Sequence, residues 1–212
     1  MISIKTKKMV TCAMLLGTAS VLSMLKPFAL PFGGGITLAS MMPICLIAYI
    51  YGTRTGLLSA LVYSIIQMLL DPGVISAAFL PGEEQMILGK AILMCLLDYV
   101  LAFTVLGLGG IFKTQFKSDF AAVSLGVFFA TTLRYLCHII SGYILWGSYA
   151  EWFFSQEGFY KIGKDILAAF SGQGLALIYS IFYNGLYMIP EIIITTAVTP
   201  LIFQALKKGK TI

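Results

Sequence analysis

The sequence predicts an all-α integral membrane protein of six transmembrane helices, both termini cytoplasmic, forming a single domain over residues 1–212. Three observations predict it. Hydrophobic residues make up 59% of the chain and charged ones 11%, with a mean hydropathy of +0.93; a soluble globule of this size cannot hide so much apolar surface from water. Long apolar runs are separated by short Pro-, Gly- or charge-bearing stretches. The basic residues are also asymmetric. Nine fall on one side (Lys5, Lys7, Lys8, Arg54, Lys113, Lys117, Lys207, Lys208, Lys210), four on the other (Lys26, Lys90, Lys161, Lys164), and Arg134 lies within a span. The richer side is cytoplasmic by the positive-inside rule. The net charge of +5 therefore reports topology and a lipid bilayer, not nucleic acid, because the basic residues are not interleaved with exposed aromatics.

Helix 1 is the run Met9 to Leu25 behind Lys5, Lys7 and Lys8. This start is similar to a secretory signal, but no small-x-small cleavage site follows and later runs are equally apolar, so it is read as a span. Ala13 and Gly17 put small residues at i, i+4 on one face, a spacing for close contact either within the bundle or against a partner. Lys26 to Gly35 (KPFALPFGGG) is an outer loop, since three consecutive glycines oppose a helix. Helix 2 is placed at Ile36 to Tyr51 and helix 3 at Gly56 to Leu70, joined by the turn Gly52-Thr53-Arg54 and stopped by Asp71-Pro72-Gly73. Both fall short of the roughly 20 residues a perpendicular span needs. That calls for a thinned bilayer, partly inserted flanking loops, or helix ends beyond these turns.

Val74 to Gln85 is a second outer loop whose apolar VISAAFL is a lid candidate. Helix 4 covers Met86 to Phe112 and carries Asp98 beside Tyr99 at its middle. Helix 5 covers Phe120 to Leu145, and Trp146 to Gly174 is a long amphiphilic outer segment with Glu151, Glu157, Lys161, Lys164 and Asp165. Helix 6, Leu175 to Leu206, is expected to kink near Pro190.

The segment from Leu133 to Trp152 carries an arginine and the only histidine in an apolar run. Titratable groups at bilayer depth cost from about 3 to above 10 kcal/mol and persist where they pair or line a cavity. On a helix Arg134, His138, Gly142 and Trp146 follow at i+4, each about 40° further round, as one slowly turning stripe. That stripe reads as one wall of a site for a small polar, cationic molecule. Asp98 and Arg134 both lie about 16 Å below the outer helix ends at ~1.5 Å per residue. Two readings are open: a buried Asp-Arg pair, or an Asp98 partly free to face a cation with Arg134 orienting it. On helix 6, Tyr179, Tyr183, Tyr187 and Glu191 form an i+4 packing stripe; Tyr179 and Asn184, about 140° apart, would flank a ligand. Glu191 is expected to satisfy backbone freed by Pro190 or to pair with a base.

Several chemistries are excluded. Cys12, Cys45, Cys95 and Cys137 lie in apolar runs without a CxxC, so neither disulfides nor a metal site is expected. GEEQMILGK at 82–90 has six residues between its glycines where a phosphate-binding loop has four, and Ala91 follows the lysine. No catalytic constellation and no cofactor motif is present.

Five stretches in order, ITLASMMPI (36–44), GLLSALVYSIIQMLLDP (56–72), LLDYVLAFTVLGLGGIF (96–112), RYLCHIISGYILWGSYA (134–150) and ALIYSIFYNGLYMIPE (176–191), resemble the thiamine-specific substrate-binding (S) components of energy-coupling-factor vitamin transporters. The resemblance implies a six-helix bundle binding thiamine without chemistry in a pocket open to the outside. Its acidic contact falls on Asp98 and the neighbouring tyrosine on Tyr99. The histidine falls on His138, the close-approach glycine on Gly142, the stacking tryptophan on Trp146, and the tyrosine-asparagine pair on Tyr179 and Asn184. The helix 1 docking face falls on Ala13 and Gly17. Some members have glutamate at Asp98 and tryptophan at Gly34 and Tyr63.

The expected function is high-affinity thiamine capture in a prokaryotic plasma membrane, with import driven by a transmembrane coupling protein and two cytoplasmic ATPase subunits. The alternatives are an S component for another vitamin such as riboflavin, an intramembrane enzyme using Asp98 and His138, and a plain packing or channel protein.

Overall fold

The computed structural model describes residues 3–30, 34–74 and 86–209, with only the backbone of Tyr160. α1 (Ile4–Met24) begins at Ser3, whose hydroxyl accepts from the Thr6 amide at 3.1 Å, meeting one of the orphan donors of the first turn. A two-stranded antiparallel ribbon follows, β1 (Phe28–Ala29) on β2 (Gly35–Ile36), with Phe28 opposite Ile36. α2 (Met42–Tyr51) and α3 (Thr53–Leu70) are joined by Gly52 alone at φ +87°, a conformation glycine adopts without steric cost.

α4 (Leu88–Gly110) changes pitch along its length: α over Leu88–Met94, π over Cys95–Leu101, α over Ala102–Thr104 and 3-10 over Val105–Gly110. α5 (Asp119–Leu145) is capped by Ser118, with Asp119 in its first turn, where an acid complements the helix dipole. Short 3-10 turns and the helices α6 (Ala150–Phe154) and α7 (Tyr160–Ala169) lead to α8 (Gly172–Lys208).

Helix 2 starts later than the sequence suggests. Residues 36–41 are ribbon and turn because Thr37 and Ser40 bond locally (Thr37 Oγ1 to Ser40 Oγ 2.8 Å, Ser40 amide to Thr37 Oγ1 3.3 Å), which competes with helix. Pro43 then sits in the first helical turn, where its missing N–H costs nothing. Helix 3, by contrast, does extend past its expected turn. The segment after Trp146 is helical in pieces, and α8 continues as helix through both Pro190 and Pro200.

Among the described residues, four helices are long and apolar enough to cross a membrane (α3, α4, α5, α8), and α2 is a shorter apolar helix. Large apolar side chains stay exposed on them: Ile193 is 63% and Leu58 61% accessible. The buried surface holds a core of Ile44, Leu46, Tyr49, Tyr63, Leu106, Val123 and Phe203.

Near Tyr49 the basic residues gather. The Tyr49 hydroxyl donates to Asp119 (2.8 Å), Lys207 pairs with Asp119 (2.5 Å), Lys113 donates to the Ile50 carbonyl (3.1 Å), and Lys8 donates to Thr55 (2.7 Å). The helices pack closely through glycine. A Cβ on Gly107 would lie 2.5 Å from Gly56 C and Leu57 Cα, whereas one on Gly17 would meet nothing within 4 Å. Gly17 and Ala13 are exposed on α1, facing out of the bundle.

Gly107→Ala is therefore expected to lower the thermal midpoint in detergent by the equivalent of about 1–3 kcal/mol through overpacking, while Gly17→Ala stays within roughly 0.5 kcal/mol of the parent. Thermal unfolding followed by size-exclusion chromatography reads both.

Candidate functional site

One cavity of about 870 Å³ is lined by residues of α3, α4, α5 and α8 together with the ribbon and the segments flanking it. Asp98, Tyr99, His138, Gly142, Trp146, Tyr179 and Asn184 all line it. The size suits a small organic ligand.

Its centre is a relay on the face of α5. Arg134, His138 and Ser141 recur at i, i+4 and i+7, which turns them the same way. Arg134 Nε donates to His138 Nε2 (3.3 Å), His138 Nδ1 meets Asp98 Oδ1 (3.0 Å), and the Ser141 hydroxyl donates to Asp98 Oδ2 (2.5 Å). Arginine only donates. Nε2 therefore accepts, the ring proton sits on Nδ1, and Nδ1–H points at Asp98. The Arg134 guanidinium also lies 4.1 Å from the centre of the Phe103 ring, a cation–π seat. Neither sequence reading of the Asp98–Arg134 relation describes this: the two charges communicate through His138, because the imidazole one turn further along α5 reaches Asp98 first.

Asp98 and Tyr99 sit in the π turn of α4, and they diverge. The Tyr99 hydroxyl donates to Asp71 Oδ2 (2.7 Å), and Asp71 Oδ1 accepts from the Gly73 amide (2.9 Å). Asp71, read from sequence only as a helix stop, thus ties the end of α3 to α4 and itself lines the cavity.

Gly142 faces protein. A Cβ there would collide with Ser180 Oγ and lie 2.9 Å from Asn184 Nδ2, so the glycine brings α5 against α8. Asn184 is fully engaged across that seam: Nδ2 donates to the carbonyls of His138 (3.1 Å) and Ser180 (2.9 Å), and Oδ1 accepts from the Tyr187 hydroxyl (2.8 Å). It braces the wall behind His138 and does not flank an open space with Tyr179.

Trp146 caps α5, its amide bonded to the Gly142 carbonyl at 3.0 Å, so the stripe from Arg134 survives to the helix end. With Tyr149 at 6.1 Å, and with Tyr179 5.5 Å from Tyr183, it makes an aromatic rim. Gly34, at φ +79°, presses on Tyr187: a Cβ would sit 2.6 Å from its ring, so no larger side chain fits. Tyr63 is fully buried in the core, donating to the Ala19 carbonyl (3.2 Å).

Glu191 is buried (3% accessible) and lines the cavity. Its Oε1 accepts from the Thr37 amide and from the Thr37 hydroxyl (2.7 Å). It serves a backbone donor, as expected, but one in the distant ribbon-to-α2 segment and not one freed by Pro190. Of the proposed lid, residues 75–85 lie outside the described residues; Val74 and Met86 at its ends line the cavity. The sequence reading missed Ser141, Phe103 and Asp71. Ser141, one turn beyond His138 on the same face, was recoverable from helical spacing.

Residues 9–155 match the model of the family described as thiamine transporter protein, Thia_YuaJ. The chain belongs to that family. The matched region contains Asp98, Tyr99, His138, Gly142 and Trp146, and stops before α8. The family member is 30% identical over 187 residues to the thiamine transporter ThiT of Bacillus subtilis (strain 168), covering 83% of this chain and 78% of that protein. Its fold is similar to a solved structure of ThiT from Listeria monocytogenes, with a TM-score of 0.66 and 21% identity over 97% of this chain and 98% of that one.

Removing the Ser141 hydroxyl leaves Asp98 Oδ2 without its protein donor. Ser141→Ala is expected to destabilise the ligand-free protein by about 1–3 kcal/mol, read as a lowered thermal midpoint.

Proposed function

We propose that this protein is the high-affinity thiamine-binding S component of an energy-coupling-factor importer in a prokaryotic plasma membrane. The observation that carries this reading is the joining of Asp98, His138 and Trp146 around one cavity in a chain of the thiamine transporter protein family. Thiamine carries a cationic thiazolium, an aminopyrimidine and a hydroxyl. A carboxylate draws the cation, and indole and phenol faces stack on its rings. Asp98, Tyr99, His138, Trp146 and Tyr179 make these contacts, while Gly142 and Asn184 shape the wall.

Six helices, α1 to α5 and α8, cross the bilayer with both termini cytoplasmic. In support, Lys8, Lys113 and Lys207 sit around the Tyr49 end, and Lys26 and Lys90 line the cavity. The vitamin enters from the outer face. Import is driven by partners, a transmembrane coupling protein and two cytoplasmic ATPase subunits, with Ala13 and Gly17 on the outward face of α1 docking the coupling protein. On this reading the protein binds without catalysis; in support, both His138 nitrogens are engaged by Arg134 and Asp98.

The test is intrinsic fluorescence of the purified protein. Thiamine is expected to quench it at sub-micromolar concentration, with the response lost in Trp146→Phe and kept in Trp152→Phe, since Trp146 lines the cavity and Trp152 does not. Asp98→Asn is expected to weaken binding by about 10–100-fold, roughly 1.4–2.7 kcal/mol. A response to riboflavin with none to thiamine, or turnover of any substrate, overturns the reading.

A further inference from the structure

Asp98 and Tyr99 are neighbours in the π turn and both line the cavity, but different elements hold them. Asp98 is held from α5, whereas the Tyr99 phenol is fixed at two points elsewhere. Its hydroxyl donates to Asp71 Oδ2 at 2.7 Å, and its ring stacks on Phe103 with centroids 6.1 Å apart and planes 26° apart. Phe103 in turn carries the Arg134 guanidinium. Asp71 is itself fixed. It closes α3 in an extended conformation (φ −94°, ψ 109°), its Oδ1 accepts from the Gly73 amide two residues on, and the Val74 amide returns to the Asp71 carbonyl at 3.2 Å. This is the side-chain-closed turn that aspartate favours, and Pro72 inside it sets one backbone angle. A carboxylate with one oxygen committed to its own turn presents the other in a set direction.

From this geometry we infer that Asp71 is a positioning residue for ligand binding: it acts through the Tyr99 phenol, holding that ring in place on the cavity wall before the vitamin arrives. The inference deepens the thiamine-binding reading above and rests on it. A tyrosine side chain turns about two torsions, and ordering it at the moment of binding subtracts from affinity. Asp71 meets that cost in the ligand-free state. The tether also crosses between elements, since Asp71 ends α3 and Tyr99 belongs to α4. The phenol is therefore placed against a helix end and a proline-containing turn, not by its own backbone alone, in a stretch where α4 departs from regular α-helix. A direct counter-charge role for Asp71 makes a different prediction, because it depends on the charge of the side chain and not on the hydrogen bond to Tyr99.

The test is titration of purified full-length protein with thiamine, followed by fluorescence or heat. Asp71→Ala is expected to weaken binding about 3–10-fold. Tyr99→Phe, which leaves the turn after α3 untouched, should weaken it equally. Adding Asp71→Ala to Tyr99→Phe should cost no further affinity, because no hydroxyl remains to be held. Asp71→Asn keeps a partner for the phenol, its amide oxygen taking the Gly73 N–H and its N–H₂ donating to the phenol oxygen, and should stay within about twofold of the parent. A loss in Asp71→Asn as large as in Asp71→Ala, persisting beside Tyr99→Phe, shows a direct charge contact and overturns the inference. An Asp71→Ala loss that is the same with and without the Tyr99 hydroxyl marks a general disturbance of the turn and overturns it too, as does unchanged affinity in Asp71→Ala or in Tyr99→Phe. If Asp71→Ala does not fold, Tyr99→Phe and Asp71→Asn carry the test: loss in the first with affinity kept in the second supports the tether, and equal affinities overturn it. Each of these failures leaves thiamine binding by the parent intact, whereas a parent that binds no thiamine brings down the thiamine-binding reading itself.

Discussion

The bundle is arranged around the cost of placing charge in a membrane interior. Arg134 and Asp98 would each carry several kcal/mol of desolvation if left alone, and the protein links them through a neutral imidazole instead of pressing them together. Each member of the chain gains a second support: Phe103 under the guanidinium, Ser141 on the other carboxylate oxygen, and the His138 carbonyl held by Asn184. Direct contact would neutralise both charges and leave a closed pair. The relay keeps a carboxylate on the cavity wall with lone pairs to spare, which is what a cationic ligand requires.

That arrangement dictates the two local departures from regular helix. α4 widens to a π turn over Cys95–Leu101 and tightens to 3-10 over Val105–Gly110. In the wide turn, Asp98 reaches α5 and its neighbour Tyr99 reaches Asp71 at the end of α3, so one turn ties three helices; π turns recur at functional sites for such reasons. The tight turn carries glycines that let α3 approach closely, holding α4 against the core that fixes the depth of Asp98. On the other wall, Gly142 admits Ser180 and Asn184 of α8. A side chain there would part α5 from α8 and remove the brace behind His138.

Most of the helical layout was legible because apolar runs and Gly/Pro breaks are local signals. Gly52 between two apolar runs, and Asp71-Pro72-Gly73 after the second, mark ends that the structure keeps within a few residues. The i+4 stripe from Arg134 to Trp146 was legible too, since helical spacing alone puts those residues on one face. What was not legible is long-range. Nothing near Glu191 announces Thr37, 154 residues away, and nothing near Asp71 announces Tyr99. The late start of α2 was hidden for another reason: Ile36 to Met42 is apolar enough to continue a helix, and only the side-chain bonds of Thr37 and Ser40 break it. Gly142 was read as a point of close approach to a ligand or a neighbouring backbone, and the groups beside it are the side chains of Ser180 and Asn184 on α8, which no local signal announces.

Selectivity in such a site depends on which wall groups remain unengaged. Asn184, Tyr99, Ser141 and both nitrogens of His138 have protein partners in the ligand-free state, so they hold shape and offer a ligand little new hydrogen bonding. Among the lining groups, the remaining lone pairs of Asp98 and the aromatic faces of Trp146 and Tyr179 are placed to meet a cation, while Lys26 and Lys90 add donors. A carboxylate among π surfaces suits a flat molecule that carries positive charge. Because the surrounding network is already satisfied, it need not reorganise when the ligand arrives, and that preorganisation is the physical route by which a small hydrophilic cation can be held tightly inside a membrane protein.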